Sequence, residues 1–101
     1  MSTMAPIILA AMILMAFASV PAAAGPRPAA DTLALACSGC HGTNSHGQGS
    51  TPAIAGRPAE EFVRMMRDFK SGRRRSSIMN RIAAGYQDAD FAALAQHYST
   101  R

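Results

Sequence analysis

Two cysteines and a histidine stand within one short run, Cys37-Ser38-Gly39-Cys40-His41, and no other side chains in the sequence are so closely spaced for chemistry. Thiols three positions apart lie near one another on a helical turn. Both can therefore reach the vinyl carbons along one edge of a porphyrin and become thioethers. The next residue then falls beneath the ring, where an imidazole can ligate iron. C-x-x-C-H is the spacing of covalent haem attachment, so Cys37 and Cys40 are read as the attachment points and His41 as the proximal ligand.

Plainer readings of the same residues do less well. A disulfide across C-x-x-C closes a very short loop and constrains little of the unfolded chain. A thioredoxin-like redox pair needs a βαβ setting, and no run of alternating β-branched residues lies near the motif. Zinc needs about four ligands, whereas the chain has two cysteines, and Cys40 and His41 are adjacent.

The elements that must position these groups come from a chain of 101 residues. Its first part reads as a leader. Ala5 to Val20 is apolar and uncharged, and Pro21-Ala22-Ala23-Ala24 offers small residues to a signal peptidase. The expected cut follows Ala24, giving residues 1–24 as a cleaved signal peptide and 25–101 as one exported, periplasmic domain with no further membrane attachment. The residues before the apolar run carry no Lys or Arg, which departs from the usual leader, and an uncleaved anchor is the alternative. A domain this small has a marginal core. Covalently held haem would supply the missing apolar surface, so the apoprotein is expected to fold poorly. The formal charge of +4 favours an acidic partner and is too weak to argue for nucleic acid.

Helical periodicity organises the rest. Asp31 is a candidate N-cap for a first helix ending at the motif, with Leu33, Ala36, Cys37 and Cys40 on one apolar face. Gly42 to Pro52, rich in Gly, Ser, Thr and Asn, reads as an irregular loop. Pro58 to Ser71 reads as a second helix, with the stripe Phe62, Met65, Met66 and Phe69 and a stop at Gly72. Arg73, Arg74 and Arg75 form a basic link, read either as solvated or as steering an acidic partner. Ile78 to Ala84 is a short apolar segment halted by Gly85. Asp88 is read as capping a last helix from Ala89 to Tyr98, with Phe91, Leu94, Ala95 and Tyr98 inward. The expected fold is all-α, three to four short helices around one covalently attached haem, with no strand.

A second axial ligand decides between a carrier and an open catalytic iron. After the leader, the candidates are Met65, Met66, Met79, His46 and His97. Met65 and Met66 sit in a helical stripe, where Met is ordinarily core filler. His46 follows His41 too closely to reach the opposite side, and His97 reads as a solvated helix residue. Met79 lies in a turn-flanked segment far along the chain from His41 and is the preferred ligand. A thioether there raises the potential relative to two imidazoles.

With these residues in place, the chain resembles the class I c-type cytochromes, and most closely the cytochrome subunit of flavocytochrome c sulfide dehydrogenase. The likeness is carried by Cys37 to Gly42, Pro52 to Gly56, Phe69 to Arg74, Ile78 to Tyr86 and Asp88 to Ala95. The resemblance implies that Met79 is the distal ligand. It also implies that the Pro52 carbonyl accepts the proximal imidazole's other N–H, a contact that fixes the tautomer. Thr43 to Thr51 and the cap around Gln87 depart from the family pattern. One motif implies one haem c. Any flavin belongs to a partner chain, because no Gly-rich dinucleotide turn is present.

Electron transfer is therefore the expected function, with no catalytic site of its own. The chain would accept electrons from a redox partner, a sulfide-oxidising flavoprotein by resemblance. A freely diffusing carrier is the nearest alternative. A haem enzyme or sensor with an open distal site would require Met79 to be uninvolved, and a purely structural haem would leave the redox metal without a use.

Overall fold

The computed structural model describes residues 26–101, and the expected leader lies outside the described residues. Four helices follow in order: α1 (Ala30–His41), α2 (Ala59–Ser71), α3 (Met79–Ala84) and α4 (Asp88–Ser99). Among the described residues the only β-type pairing is a single bridge between Gln48 and Thr51. None of their helices is long and apolar enough to cross a membrane.

The predicted stripe of α4 is the centre of the core: Phe91, Leu94, Ala95 and Tyr98 are all buried. Residues at i, i+3, i+4 and i+7 share one helix face, and here that face meets both neighbours, α1 and α2. Phe62 and Met66 of α2, Ala34 of α1 and Ala83 of α3 complete the cluster. The Phe62 and Tyr98 rings stack at 5.7 Å between centroids. α3 packs on α2, and α1 packs on α4 alone among the helices. Gly72 closes α2 in the left-handed conformation (φ 79°, ψ 3°), which a residue with a Cβ adopts only at a cost.

Two helix starts and one helix face differ from expectation, beyond the one-residue shift that makes Pro58 the cap of α2. α1 starts at Ala30, with Ala29 as its cap, and Asp31 is a first-turn residue whose carboxylate accepts the Thr32 N–H at 2.8 Å. α4 starts at Asp88, capped by Gln87, and runs to Ser99. The reason is Asp90, which is buried and accepts the Gln87 N–H at 2.8 Å. Its carboxylate is also gripped by Arg27, at 3.1 Å through Nε and 2.5 Å through Nη2. These contacts hold the Asp90 carboxyl below the usual carboxylate range, the Arg27 guanidinium being the main cause. The third difference concerns the face of α1. Ala36 and Cys40 are exposed, whereas Ala34 and His41 are buried and Cys37 half-buried. Residues 34, 37 and 41 share a stripe, and the three-residue step from Cys37 to Cys40 rotates the second thiol to the helix edge.

Candidate haem site

The two thiols and the imidazole occupy the last two turns of α1. Neither cysteine is in a disulfide. Burial pushes the Cys37 thiol up, opposed in part by the nearby Tyr98 hydroxyl. Cys40 is open to solvent.

His41 ends the helix, buried, with Nδ1 at 2.6 Å from the Pro52 carbonyl oxygen. A carbonyl oxygen can only accept, so Nδ1 carries the proton and Nε2 keeps its lone pair for a metal. The loop that brings Pro52 here has to reverse at once. Gly42 does this at φ 93° and ψ 157°, a region open essentially to glycine. The Gly47 N–H returns to the His41 carbonyl at 2.8 Å.

Ser45 anchors the loop, though nothing in a Gly- and Ser-rich stretch marks it as different. It is 2% exposed and sits at φ 57°. Its carbonyl accepts the Ile54 and Ala55 N–H groups, both at 2.9 Å. Its hydroxyl donates to Tyr98 Oη at 3.1 Å, and Tyr98 donates in turn to the Ala34 carbonyl at 3.3 Å. Burial is the main cause that pushes the Tyr98 phenol up to about 12, so it remains a donor at neutral pH. α1, the loop and α4 are thereby joined at one buried point.

Of the candidates for the second axial position, Met66 is buried in the core and Met65 is half-buried, its sulfur 3.7 Å from Arg57 Nη1. His46 is exposed. His97 lies edge-on to Tyr98 and accepts from Arg101 Nε at 3.1 Å. Met79 is the first residue of α3, half-buried at the fringe of the core. Leu33, Cys37, Ile54 and Phe69 belong to the same fringe of partly buried apolar groups, and Ile78 and Ile82 beside Met79 are 51% and 41% exposed. The groove between α2 and α4, lined by Val63, Arg67, Ala92 and Gln96, includes none of the candidate residues.

The residues present fit a haem. Two free thiols, an imidazole with its outer nitrogen available and a thioether make a suitable donor set. An incompletely covered apolar fringe is the surface such a ring would bury.

No protein-family model matches the chain. It is 30% identical over 74 residues to cytochrome c-553 of Desulfomicrobium norvegicum, covering 70% of this chain and 92% of that protein. It is 35% identical over 68 residues to the cytochrome subunit of sulfide dehydrogenase of Chlorobaculum tepidum. A third relative, 37% identical over 68 residues, is the thiosulfate dehydrogenase electron acceptor of Stutzerimonas stutzeri. The chain spans 62% of the former's length and 32% of the latter's. The solved structure of Acidithiobacillus ferrooxidans cytochrome c4 superposes with a TM-score of 0.63 at 30% identity, over 65% of this chain and 38% of that one.

Proposed function

This chain belongs to the class I c-type cytochromes, and from that premise we propose that it is a periplasmic electron carrier with a single covalent haem c. Cys37 and Cys40 would hold the ring by thioether bonds, and His41, through Nε2, and Met79 would be the two ligands of its iron. The observation that carries the reading is the 2.6 Å contact between His41 Nδ1 and the Pro52 carbonyl. It commits the inner nitrogen, fixes the ring orientation and raises the basicity of the outer nitrogen.

The haem supplies one-electron chemistry at iron. The chain's own part is to keep both ligands in place through the redox change and to limit water around them, so that little rearrangement accompanies electron movement. The donor we propose is a sulfide-oxidising flavoprotein, because one relative is named as the cytochrome subunit of a sulfide dehydrogenase and the sequence resembles the cytochrome subunit of the flavin-containing kind. A free carrier is the second reading. It is favoured by the near-complete coverage of cytochrome c-553, against the partial coverage of the subunit.

Mass spectrometry of the protein from its own periplasm tests the assignment. The expected mass is that of residues 25–101 plus one haem that acid acetone does not extract; the bare polypeptide mass would overturn it. Met79→Ala is expected to lose the thioether-to-iron absorption band of the oxidised protein and to lower the potential. A flavin-containing chain that copurifies identifies the subunit, and its absence at native concentration identifies the free carrier.

A further inference from the structure

Asn80 follows the proposed ligand directly and uses every hydrogen-bonding position of its side-chain amide. Nδ2 donates to the Phe69 carbonyl at 2.8 Å and to the Arg74 carbonyl at 2.7 Å. Oδ1 accepts the Ser76 N–H at 2.9 Å and the Ser76 hydroxyl at 3.1 Å. The Asn80 backbone N–H donates back to Ser76 Oγ at 3.1 Å. Carbonyls only accept and a backbone N–H only donates, so the amide can face one way alone.

One side chain thus joins three pieces: the last turn of α2, the link of residues 72–78 and the first turn of α3. Little else holds that link. All of its residues are exposed. Its other ties lie at its ends or on Arg74: the Gly72 N–H to the Phe69 carbonyl at 3.2 Å, the Ile78 carbonyl accepting from Arg81 and Ile82, the Arg74 N–H to the Asp68 carbonyl at 3.1 Å, a long contact from the Arg73 N–H to Ser71 Oγ, and the Arg74 guanidinium over the Phe69 ring at 5.5 Å. α3 has six residues, of which only Ala83 is buried. The far end of α3 is tied to α2 by Lys70 Nζ donating to the Tyr86 carbonyl, whereas a turn and a half with one buried methyl leaves the near end, where Met79 stands, weakly fixed by its own packing.

We propose that Asn80 is a positioning residue that holds the Met79 sulfur against the haem iron, and that its hydrogen bonds set how often that ligand lets go. The inference rests on the proposed ligation by Met79. When the knot opens, the link and the first turn of α3 move away together, and Met79 would no longer stand where it could hold a bound haem's iron against an outside ligand. His41 and both thioethers stay in place, because their supports lie in α1, the following loop and α4.

Exogenous imidazole is the probe, added to the oxidised holoprotein. Its apparent affinity scales with the fraction of molecules in which the distal ligand is released. Asn80→Ala is expected to raise that affinity by roughly tenfold or more, since two hydrogen bonds to fixed carbonyls are lost. It should also weaken the thioether band and leave the haem covalently attached. Asn80→Asp keeps the acceptor toward Ser76 and sets its other carboxylate oxygen against two carbonyls, so it should behave like Asn80→Ala. Ser76→Ala removes one side of the knot and should shift affinity the same way by less; it decides the matter if the Asn80 variants yield no holoprotein.

Arg27→Ala is the control. It loosens the fold through the Asp90 pair, touches none of residues 72–80 and should leave imidazole affinity unchanged. If Met79→Ala abolishes the band while the Asn80 and Ser76 variants bind imidazole as wild type does, Asn80 has no positioning role and the ligand assignment survives. An equal rise in Arg27→Ala would likewise reduce the effect to general loosening and overturn the inference. If Met79→Ala keeps the band, the ligation and the inference fall together.

Discussion

The loop after His41 and the link before Met79 are held in opposite ways. Residues 42–55 turn inward around a buried serine, and three backbone N–H groups return to the carbonyls of Ser45 and His41. Residues 72–78 turn outward and are gathered mainly by one side-chain amide beyond them. The first arrangement is continuous with the core through Tyr98, and opening it means undoing the packing of α1 on α4. The second can open while the core stays shut. A local opening of this kind costs less than global unfolding, so the thioether is expected to leave the iron under conditions in which the imidazole remains.

The contrast breaks most visibly at Gly42. A Cβ there would stand 3.0 Å from the Gly47 carbonyl oxygen, on a backbone that other residues avoid. Gly42→Ala is expected to destabilise the protein by about 2–3 kcal/mol and to loosen the His41 to Pro52 contact; urea unfolding of the holoprotein measures it. A cost as small as that of a surface change would mean the inward loop is no firmer than the outward link.

Tyr98→Phe comes next, at about 1–2 kcal/mol, because it leaves the buried Ser45 hydroxyl without its acceptor. The loss should appear in the unfolding midpoint and not in the thioether band.

Asp90 adds a pH dependence to the same half of the molecule. Its carboxyl titrates lower in the folded protein than in the unfolded chain. The stability it contributes is therefore fully present above the unfolded value, about pH 4, and is lost as pH falls through the folded one. Arg27→Ala should flatten that acid limb and cost about 1 kcal/mol at neutral pH, the guanidinium being partly exposed. An acid limb identical to wild type would remove Asp90 as its source.

The smallest effect on stability belongs to Arg73→Glu with Arg75→Glu, within about 0.5 kcal/mol. Both are exposed, whereas Arg74 lies over Phe69 and is better left alone. The expected consequence is slower electron transfer with the partner at low salt, converging on wild type as salt rises. Equal rates across the salt series would leave the run as a solvated link.

Much of this organisation was legible from residue types. The stripes of α2 and α4 carry the helical period, and Gly72 and Gly85 mark stops that the backbone uses. C-x-x-C-H names its own chemistry. What escaped was the polar framework, because its partners lie far apart in sequence. Arg27 meets Asp90 across 63 positions, and Ser45 meets Tyr98 across 53. Tyr98 was recognised as inward by its period, yet periodicity says nothing about where its hydroxyl goes. Asn80 stood in plain view beside Met79, but a polar residue in an apolar segment gives no sign that its amide is fully used. The cap of α4 failed for a related reason: Asp88 has the better local propensity, and the buried Asp90 decided the register through Gln87 and Arg27.

That α1 packs on α4 and on no other helix among the described residues also has a meaning in time. A chain is made from its N-terminus, so the helix bearing both cysteines is finished before the last of the four described helices, its one helical partner among them. Until α4 exists, Tyr98 cannot cover Cys37 or reach Ser45, and the motif stands on an unpartnered helix. The architecture thus leaves an interval in which the thiols are accessible and the rest of the fold is still to come.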